Sequence, residues 1–337
     1  MKKLPLVFIS EPINVKGIEL LKDKVQLLQA PDTSKNTAMD LIVHADAAIL
    51  RATTLFDKEV IAHAEKLKII ARTGVGVDNV DLKYAAQKGI LVCNTPGTND
   101  DTVAEHVLSL ILALAKQTFL MDKAVRTQKW EFRFSPRQMD VKGKTLGIIG
   151  YGKTGKATAR LARSFGMKIL VYDPFVDPEE CPDLILESLG PLFSKSDFVS
   201  LHCPATTSTR GLVDERHLME MKDSAYLINA SRGELVNDTD LISALRKRVI
   251  AGAALDVFSS EPLASDSPYL QLDNVILSPH VAGSTKESNE RIAISAAHAV
   301  LDVLNGKMPR HICNLHFFSN NDKALLAYDR SDTGSIL

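Results

Sequence analysis

The sequence predicts an α/β protein of two lobes. Two observations carry this. Short apolar runs alternate with helical patches along most of the chain, the pattern of parallel sheets covered by helices. Near the middle, at Thr145-Leu146-Gly147-Ile148-Ile149-Gly150-Tyr151-Gly152-Lys153-Thr154-Gly155, an apolar strand runs straight into glycines at G-x-G-x-x-G spacing. A one-domain nucleotide fold puts this motif near its start, so a separate lobe must precede it here.

The first hundred residues hold that lobe. Leu6-Val7-Phe8-Ile9, Val25-Gln26-Leu27-Leu28, Ala47-Ala48-Ile49-Leu50, Lys68-Ile69-Ile70-Ala71 and Ile90-Leu91-Val92-Cys93 read as strands, with helical patches at 16–21, 58–66 and 82–88. Asn94-Thr95-Pro96-Gly97-Thr98 is a turn-rich break, and Asp100 or Asp101 is placed to cap the helix that follows. That helix, 103–115, is strongly apolar but carries Glu105 and His106 and is too short to span a bilayer. The segment 129–137 is an irregular polar and aromatic loop. From Thr145 the α/β pattern resumes, with near-continuous apolar strands at 198–202, 225–229, 253–257 and 275–277. A helix over 288–304 follows, and the tail from His316, including Asn320-Asn321-Asp322, has little periodicity and is expected to be loosely held.

The fingerprint has a physical reading. Gly150 allows the tight turn, Gly152 lets the backbone approach a pyrophosphate, and Gly155 lets helix and strand pack closely. A helix over 156–165 would offer its N-terminal amides and positive dipole end to the phosphates. The second strand, 168–172, ends at Asp173, whose carboxylate can accept from ribose hydroxyls and would repel a 2′-phosphate. No G-x-x-x-x-G-K-[ST] run occurs, which disfavours a P-loop site.

With 337 residues there is room for two cores, and a formal net charge of −1 gives no electrostatic reason to expect nucleic acid or an anionic membrane as partner. Met1-Lys2-Lys3 before an apolar run resembles a signal peptide, but the run is short and contains Pro5, so a first strand and a cytoplasmic protein are expected. Cys93, Cys181, Cys203 and Cys313 are scattered without a C-x-x-C, which reads as reduced thiols and no metal site.

Ligands of open α/β sheets sit at the carboxyl ends of strands, and three chemistry-bearing residues fall just after predicted strands. They are Arg232 in Asn229-Ala230-Ser231-Arg232-Gly233, Glu261 in Ser259-Ser260-Glu261-Pro262, and His280 in Ser278-Pro279-His280-Val281-Ala282-Gly283. A nicotinamide enzyme acting on a 2-hydroxy acid needs a permanent cation for the carboxylate, a base of pKa near 7 for the hydroxyl proton, and a carboxylate to orient that base. Singly, each also fits a salt bridge, a turn or a core histidine.

Taken together the motifs resemble the D-isomer-specific 2-hydroxyacid dehydrogenase family, and within it the phosphoglycerate dehydrogenase-like branch. The resemblance runs over residues 5–310 and rests on Ala71-Arg72-Thr73-Gly74-Val75-Gly76-Val77-Asp78-Asn79-Val80-Asp81, Asn94-Thr95-Pro96-Gly97, Thr102-Val103-Ala104-Glu105, the glycine fingerprint and the three catalytic contexts. It implies a Rossmann-type NAD-binding domain, 100–279, inserted into a flavodoxin-like substrate-binding domain, 1–99 plus 280–315, with a tail at 316–337. Arg232 would bind substrate, His280 would be the acid/base and Glu261 its support. Arg51, Arg72, the amides of Gly74, Val75 and Gly76, and Arg133 would serve substrate. Thr102, Gly150, Gly152, Lys153, Thr154, Gly155, Asp173, Cys203, Pro204, Ala230, Ser231, Arg232, Asp256, His280 and Gly283 would contact the cofactor. Relatives commonly carry Arg-Ile where Lys153-Thr154 stands, a place where backbone donors matter most. Asp173-Pro174-Phe175 favours NAD over NADP. The resemblance further implies a homodimer through the NAD-binding domain and the Trp130 loop. The leading expected reaction is oxidation of 3-phosphoglycerate to 3-phosphohydroxypyruvate, in serine biosynthesis. A glyoxylate/hydroxypyruvate reductase or other D-2-hydroxyacid dehydrogenase is the alternative, and an NAD(H)-dependent corepressor-like scaffold the alternative of another class.

Overall fold

A computed structural model describes residues 3–134 and 138–318; Ser135, Pro136, Arg137 and the Asn320-Asn321-Asp322 stretch lie outside the described residues. The chain divides into two compact units, one formed by Met1–Asn99 with Lys286–Leu337 and the other by Asp100–Thr285. The return to the first unit thus falls at Lys286, a few residues later than the family resemblance implies.

The first unit begins β1 (Leu6–Ile9), α1 (Val15–Leu21), β2 (Gln26–Gln29), α2 (Lys35–Ile42), β3 (Ala47–Leu50), α3 (Lys58–Ala62), β4 (Ile69–Arg72), α4 (Leu82–Gln87) and β5 (Leu91–Cys93). The strands form one parallel sheet in the order β2-β1-β3-β4-β5, the flavodoxin-like order. Short polar side chains start the helices: Asn14, Ser34, Asp57 and Asp81 each accept from an amide of the first turn. Apolar clusters cover both sheet faces, one including Phe8, Phe56 and Ile70, the other Val7, Ile49 and Ile69.

The second unit contains α5 (Asp100–Lys116), α6 (Thr118–Arg126), β6 (Thr145–Ile149), α7 (Lys153–Ser164), β7 (Lys168–Tyr172), β8 (Leu184–Ile185), α8 (Leu189–Lys195), β9 (Phe198–Leu201), α9 (Glu215–Glu220), β10 (Tyr226–Asn229), α10 (Asp238–Arg246), β11 (Gly252–Leu255) and β12 (Val275–Leu277). Its sheet, β12-β11-β10-β9-β6-β7-β8, is parallel throughout, and its strand order switches sides between β6 and β9, as in a Rossmann fold. The central strands β9, β10 and β11 are buried along their whole length, which explains their unbroken apolar sequence. Asp100 and Asp101 do not cap α5 from outside; they occupy its first turn, where acidic groups favour the helix dipole. The irregular loop expected at 129–137 contains a 3-10 turn over Trp130–Phe134.

The chain re-enters the first unit as α11 (Lys286–Leu304), which packs on α1, β3 and β4. Gly17 permits the α1 crossing, since a Cβ there would lie 2.9 Å from Ala293. The segment just before the tail is pinned to the first sheet, and the first residues of the tail follow it, contrary to the loose hold expected from His316 onward. Asn314 is fully buried, accepts from the Val92 amide at 2.9 Å and donates to the Ile90 carbonyl at 2.9 Å, and Phe318 joins the core. Among the described residues no single helix is long and apolar enough to cross a membrane; α5 and α6 reach that length and composition only as a pair bent by 56°.

Candidate active site

In the second unit the fingerprint lies where the strand order switches sides, at the carboxyl end of β6. Gly150 has φ +94 and its α-carbon faces the His202–Cys203 backbone, where a Cβ would lie 2.7 Å from the Cys203 nitrogen. A Cβ at Gly155 would lie 2.2 Å from the Gly150 carbonyl oxygen, so only glycine lets α7 start against this turn. Gly152 differs. It has φ −70, it is exposed, and a Cβ there would meet nothing within 4 Å. Nothing in the fold requires a glycine at 152, whereas close approach of a pyrophosphate would. Gly152 also places no capping side chain over the first amides of α7, which leaves them to an anion. The residues present therefore fit a dinucleotide.

Two features here escape sequence reasoning. Asp173 accepts from the Tyr151 amide at 2.7 Å and the Phe175 amide at 2.9 Å, so its carboxylate is set against the glycine turn. The Tyr151 phenol, between two of the glycines, donates to Asp183 at 2.8 Å and accepts from Arg163. Lys153 is exposed and Thr154 half-buried at the start of α7, while Thr102 is buried on α5. Cys203 and Pro204 follow β9; burial pushes the Cys203 thiol up to about 11, which removes thiolate chemistry near neutral pH. His202, beside it, bonds Ser200 Oγ at 2.9 Å, and burial pushes it down to about 4. Ala230 and Ser231 follow β10, and Ser231 Oγ donates to the Cys203 carbonyl at 2.7 Å.

The three catalytic candidates all lie in the second unit, past the carboxyl ends of β10, β11 and β12. His280 Nδ1 lies 2.7 Å from Glu261 Oε2, and Glu261 Oε1 accepts from the Phe258 amide at 3.0 Å. A carboxylate accepts only, so Nδ1 carries the proton and Nε2 is the free base. Both side chains reach solvent, at 43% and 36% exposure, as a proton-exchanging pair must. Arg232 donates to the Ser231 carbonyl at 2.6 Å. Its turn packs directly on the loop that carries Glu261, since a Cβ on Gly233 would lie 1.9 Å from the Phe258 carbonyl carbon. Asp256 is fully buried, with its carboxylate bonded to Ser278 and to the Val281 and Ala282 amides. Gly283 closes that loop.

The first unit gathers its own polar cluster at the carboxyl ends of β1, β3 and β4. Arg51 is exposed, donates through Nη1 to the Pro12 carbonyl at 3.0 Å and is braced by Asn79, which bonds the Arg51 and Thr54 carbonyls. Arg72 pairs with Leu50 in register and folds back to donate to the Thr73 carbonyl, its guanidinium lying over Gly74. Gly74 has φ +119, and its amide donates to Thr95 Oγ1 at 2.9 Å; Val75 is exposed and Gly76 half-buried beside it. Arg133, in the second unit, is exposed and stacks on Phe134. Among the described residues no group of three or more His, Cys, Asp or Glu could hold a metal ion.

Comparison with known proteins agrees with this geometry. Residues 108–282 match the family model described as D-isomer specific 2-hydroxyacid dehydrogenase, NAD binding domain. A glyoxylate reductase of Korarchaeum cryptofilum is 39% identical over 92% of this chain and 96% of its own. A D-3-phosphoglycerate dehydrogenase of Synechocystis is 39% identical over 92% of this chain; the chain spans only 56% of that relative's length. A solved protein of Thermus thermophilus superposes with a TM-score of 0.86 at 32% identity, covering 91% of this chain and 99% of its own. With a family model over half its length and a near full-length relative, the chain belongs to the D-isomer-specific 2-hydroxyacid dehydrogenase family.

Proposed function

We propose that the protein is an NAD-dependent D-2-hydroxyacid dehydrogenase, with 3-phosphoglycerate and 3-phosphohydroxypyruvate as its leading substrate pair. The observation that carries the reading is the His280–Glu261 pair at 2.7 Å, with Nε2 left free as a base. NAD, held by the Gly150–Gly155 turn, the first amides of α7 and Asp173, supplies the hydride acceptor when bound. Arg232 fixes the substrate carboxylate by a bidentate, permanently charged contact. His280 Nε2 takes the C2 hydroxyl proton, and Glu261 stabilises the imidazolium that results. In the reverse direction the same imidazolium returns the proton to the keto oxygen. Arg51 and the amides of Val75 and Gly76 are proposed anion ligands of the first unit, the Gly74 amide being taken by Thr95 Oγ1, and Asp173 disfavours a 2′-phosphate.

The phosphorylated substrate is supported by the Synechocystis relative and by the exposed guanidinium of Arg51. A glyoxylate reductase is the second reading, favoured by the relative matched along 96% of its length and by an Arg72 folded onto its own backbone. A panel of 2-keto acids with NADH decides. Turnover of hydroxypyruvate or glyoxylate without 3-phosphohydroxypyruvate rejects the phosphoglycerate assignment, and turnover of none rejects the enzyme in favour of a scaffold. Loss of turnover with NADH binding kept is expected for His280→Ala; an unchanged rate rejects its role.

The family resemblance also supports a homodimer through the second unit. Phe119, Val125, Trp130 and Phe134 stand exposed on this unit, and Phe119 lines a cavity of about 480 Å³ with Leu114, Leu120, Phe132 and Ile276. Sedimentation should show a dimer that Phe119→Glu dissociates; a monomeric wild type refutes it.

A further inference from the structure

We propose that His106 and Ser278 are positioning residues: a directed hydrogen-bond chain from His106 through Ser278 to buried Asp256 holds the loop that presents His280. The inference rests on the reading of His280 as the acid/base, and it assigns two residues that reading does not use.

The starting point is Asp256, at the end of β11 and fully buried. A carboxylate survives burial only if its lone pairs are used. Here Oδ1 accepts from Ser278 Oγ at 2.6 Å and from the Val281 amide at 3.0 Å, and Oδ2 from the Ala282 amide at 2.8 Å. The Asp256 carbonyl accepts from the His280 amide at 2.7 Å. One residue thus binds three consecutive amides of the loop; Pro279, just before them, has none to give.

The loop needs this grip. His280 has φ +54, the left-handed region that L side chains rarely adopt. It is in that conformation that Nδ1 meets Glu261. Without an external constraint the backbone would relax and carry the ring away from its partner.

The direction of the chain follows from chemistry. Asp256 only accepts, so the single Ser278 proton points at it. The Ser278 oxygen must then accept from His106 Nε2, 3.3 Å away, and Nε2 lies 3.7 Å from Asp256 Oδ1. His106 sits on α5 one turn after Thr102, so the chain ties the loop to a rigid, 17-residue helix. Ser278 is the joint between them.

The test compares Ser278→Ala, Ser278→Thr and His106→Leu with wild type, reading kcat and KM for hydroxypyruvate with NADH, the NADH dissociation constant, and amide exchange of Val281 and Ala282. Ser278→Ala is expected to lower kcat about tenfold, as a misplaced catalytic group does, with NADH affinity held within about twofold. Val281 and Ala282 should exchange faster, Ser278→Thr should restore both readouts, and His106→Leu should shift them in the same direction but less. A kcat unchanged in Ser278→Ala, or NADH affinity falling in step with kcat, overturns the proposal. Failure of the catalytic reading looks different: His280→Ala would then turn over like wild type. In that case amide exchange still decides, because unchanged protection of Val281 and Ala282 in Ser278→Ala means Ser278 does not hold the loop.

Discussion

Replacing Gly152 and Gly155 by alanine, one at a time, separates what the glycine turn does for a ligand from what it does for the fold. At Gly155 the added Cβ would sit 2.2 Å from the Gly150 carbonyl oxygen and 3.4 Å from Ile148 Cγ2. The oxygen is backbone and belongs to a residue at φ +94, so it has little room to yield. The start of α7 must shift by about 1 Å, at an overpacking cost of about 1–3 kcal/mol. At Gly152 the added Cβ meets nothing within 4 Å and φ is −70, open to any residue. The loss of a glycine N-cap and the smaller unfolded-state entropy nearly offset each other, so stability should stay within about 1 kcal/mol of wild type. The same methyl blocks a pyrophosphate from the amides of α7. Loss of two charge-assisted hydrogen bonds at about 1.5 kcal/mol each predicts about a hundredfold weaker NADH binding. Urea unfolding and NADH fluorescence titration of both variants are the assays. Gly152→Ala binding NADH like wild type, or losing as much stability as Gly155→Ala, would refute the reasoning.

Two further outcomes follow from other groups. Glu261→Gln keeps the shape of the His280 contact but removes the charge that stabilises an imidazolium, so kcat should fall by about ten- to a hundredfold; an unchanged kcat sinks the support role assigned to Glu261. His202 is pushed by burial from 6.5 to about 4, so the folded state holds it neutral while the unfolded chain takes up a proton first. Its contribution to stability is complete above pH 6.5 and is lost as pH falls toward 4. His202→Gln should flatten the dependence of the urea midpoint over that window, and parallel slopes in the two proteins count against it.

What was legible in the sequence had a local cause. Unbroken apolar runs marked β9, β10 and β11 because both of their faces are covered. The glycine spacing marks the turn at β6 because Gly155 answers to the Gly150 carbonyl five residues away, although Gly150 itself answers to the distant His202–Cys203 backbone. Glu261 and His280 were found by their places after strands, although the 2.7 Å contact spans 19 residues. The misses depend on distant partners. Phe318 falls in the stretch expected to be loosely held because the cluster it joins, with Val7 and Ile49, lies more than two hundred residues earlier. His106 read as a stray polar group on an apolar helix, since Ser278 stands 172 residues away. Tyr151 carries no signal in the sequence, since Asp183 and Arg163 reach its phenol only in the fold.

The backbone at the carboxyl ends of the strands sharpens the case for His280. Left-handed residues recur there: Gly74 at φ +119 after β4, Gly150 at φ +94 after β6, and His280 at φ +54 after β12. Two of the three are glycine, which adopts these angles without penalty. A histidine in the third place works against the local backbone, so its side chain must be the reason for its presence. Separating backbone from ring requires two variants that both lack the imidazole. His280→Gly relieves the left-handed conformation and His280→Ala retains it, so the glycine variant should be more stable by about 1 kcal/mol while both lose turnover equally. Equal stability of the two would show that the bonds from Asp256 do not hold this residue against a strained backbone, and the grip assigned to Ser278 and His106 would lose its purpose.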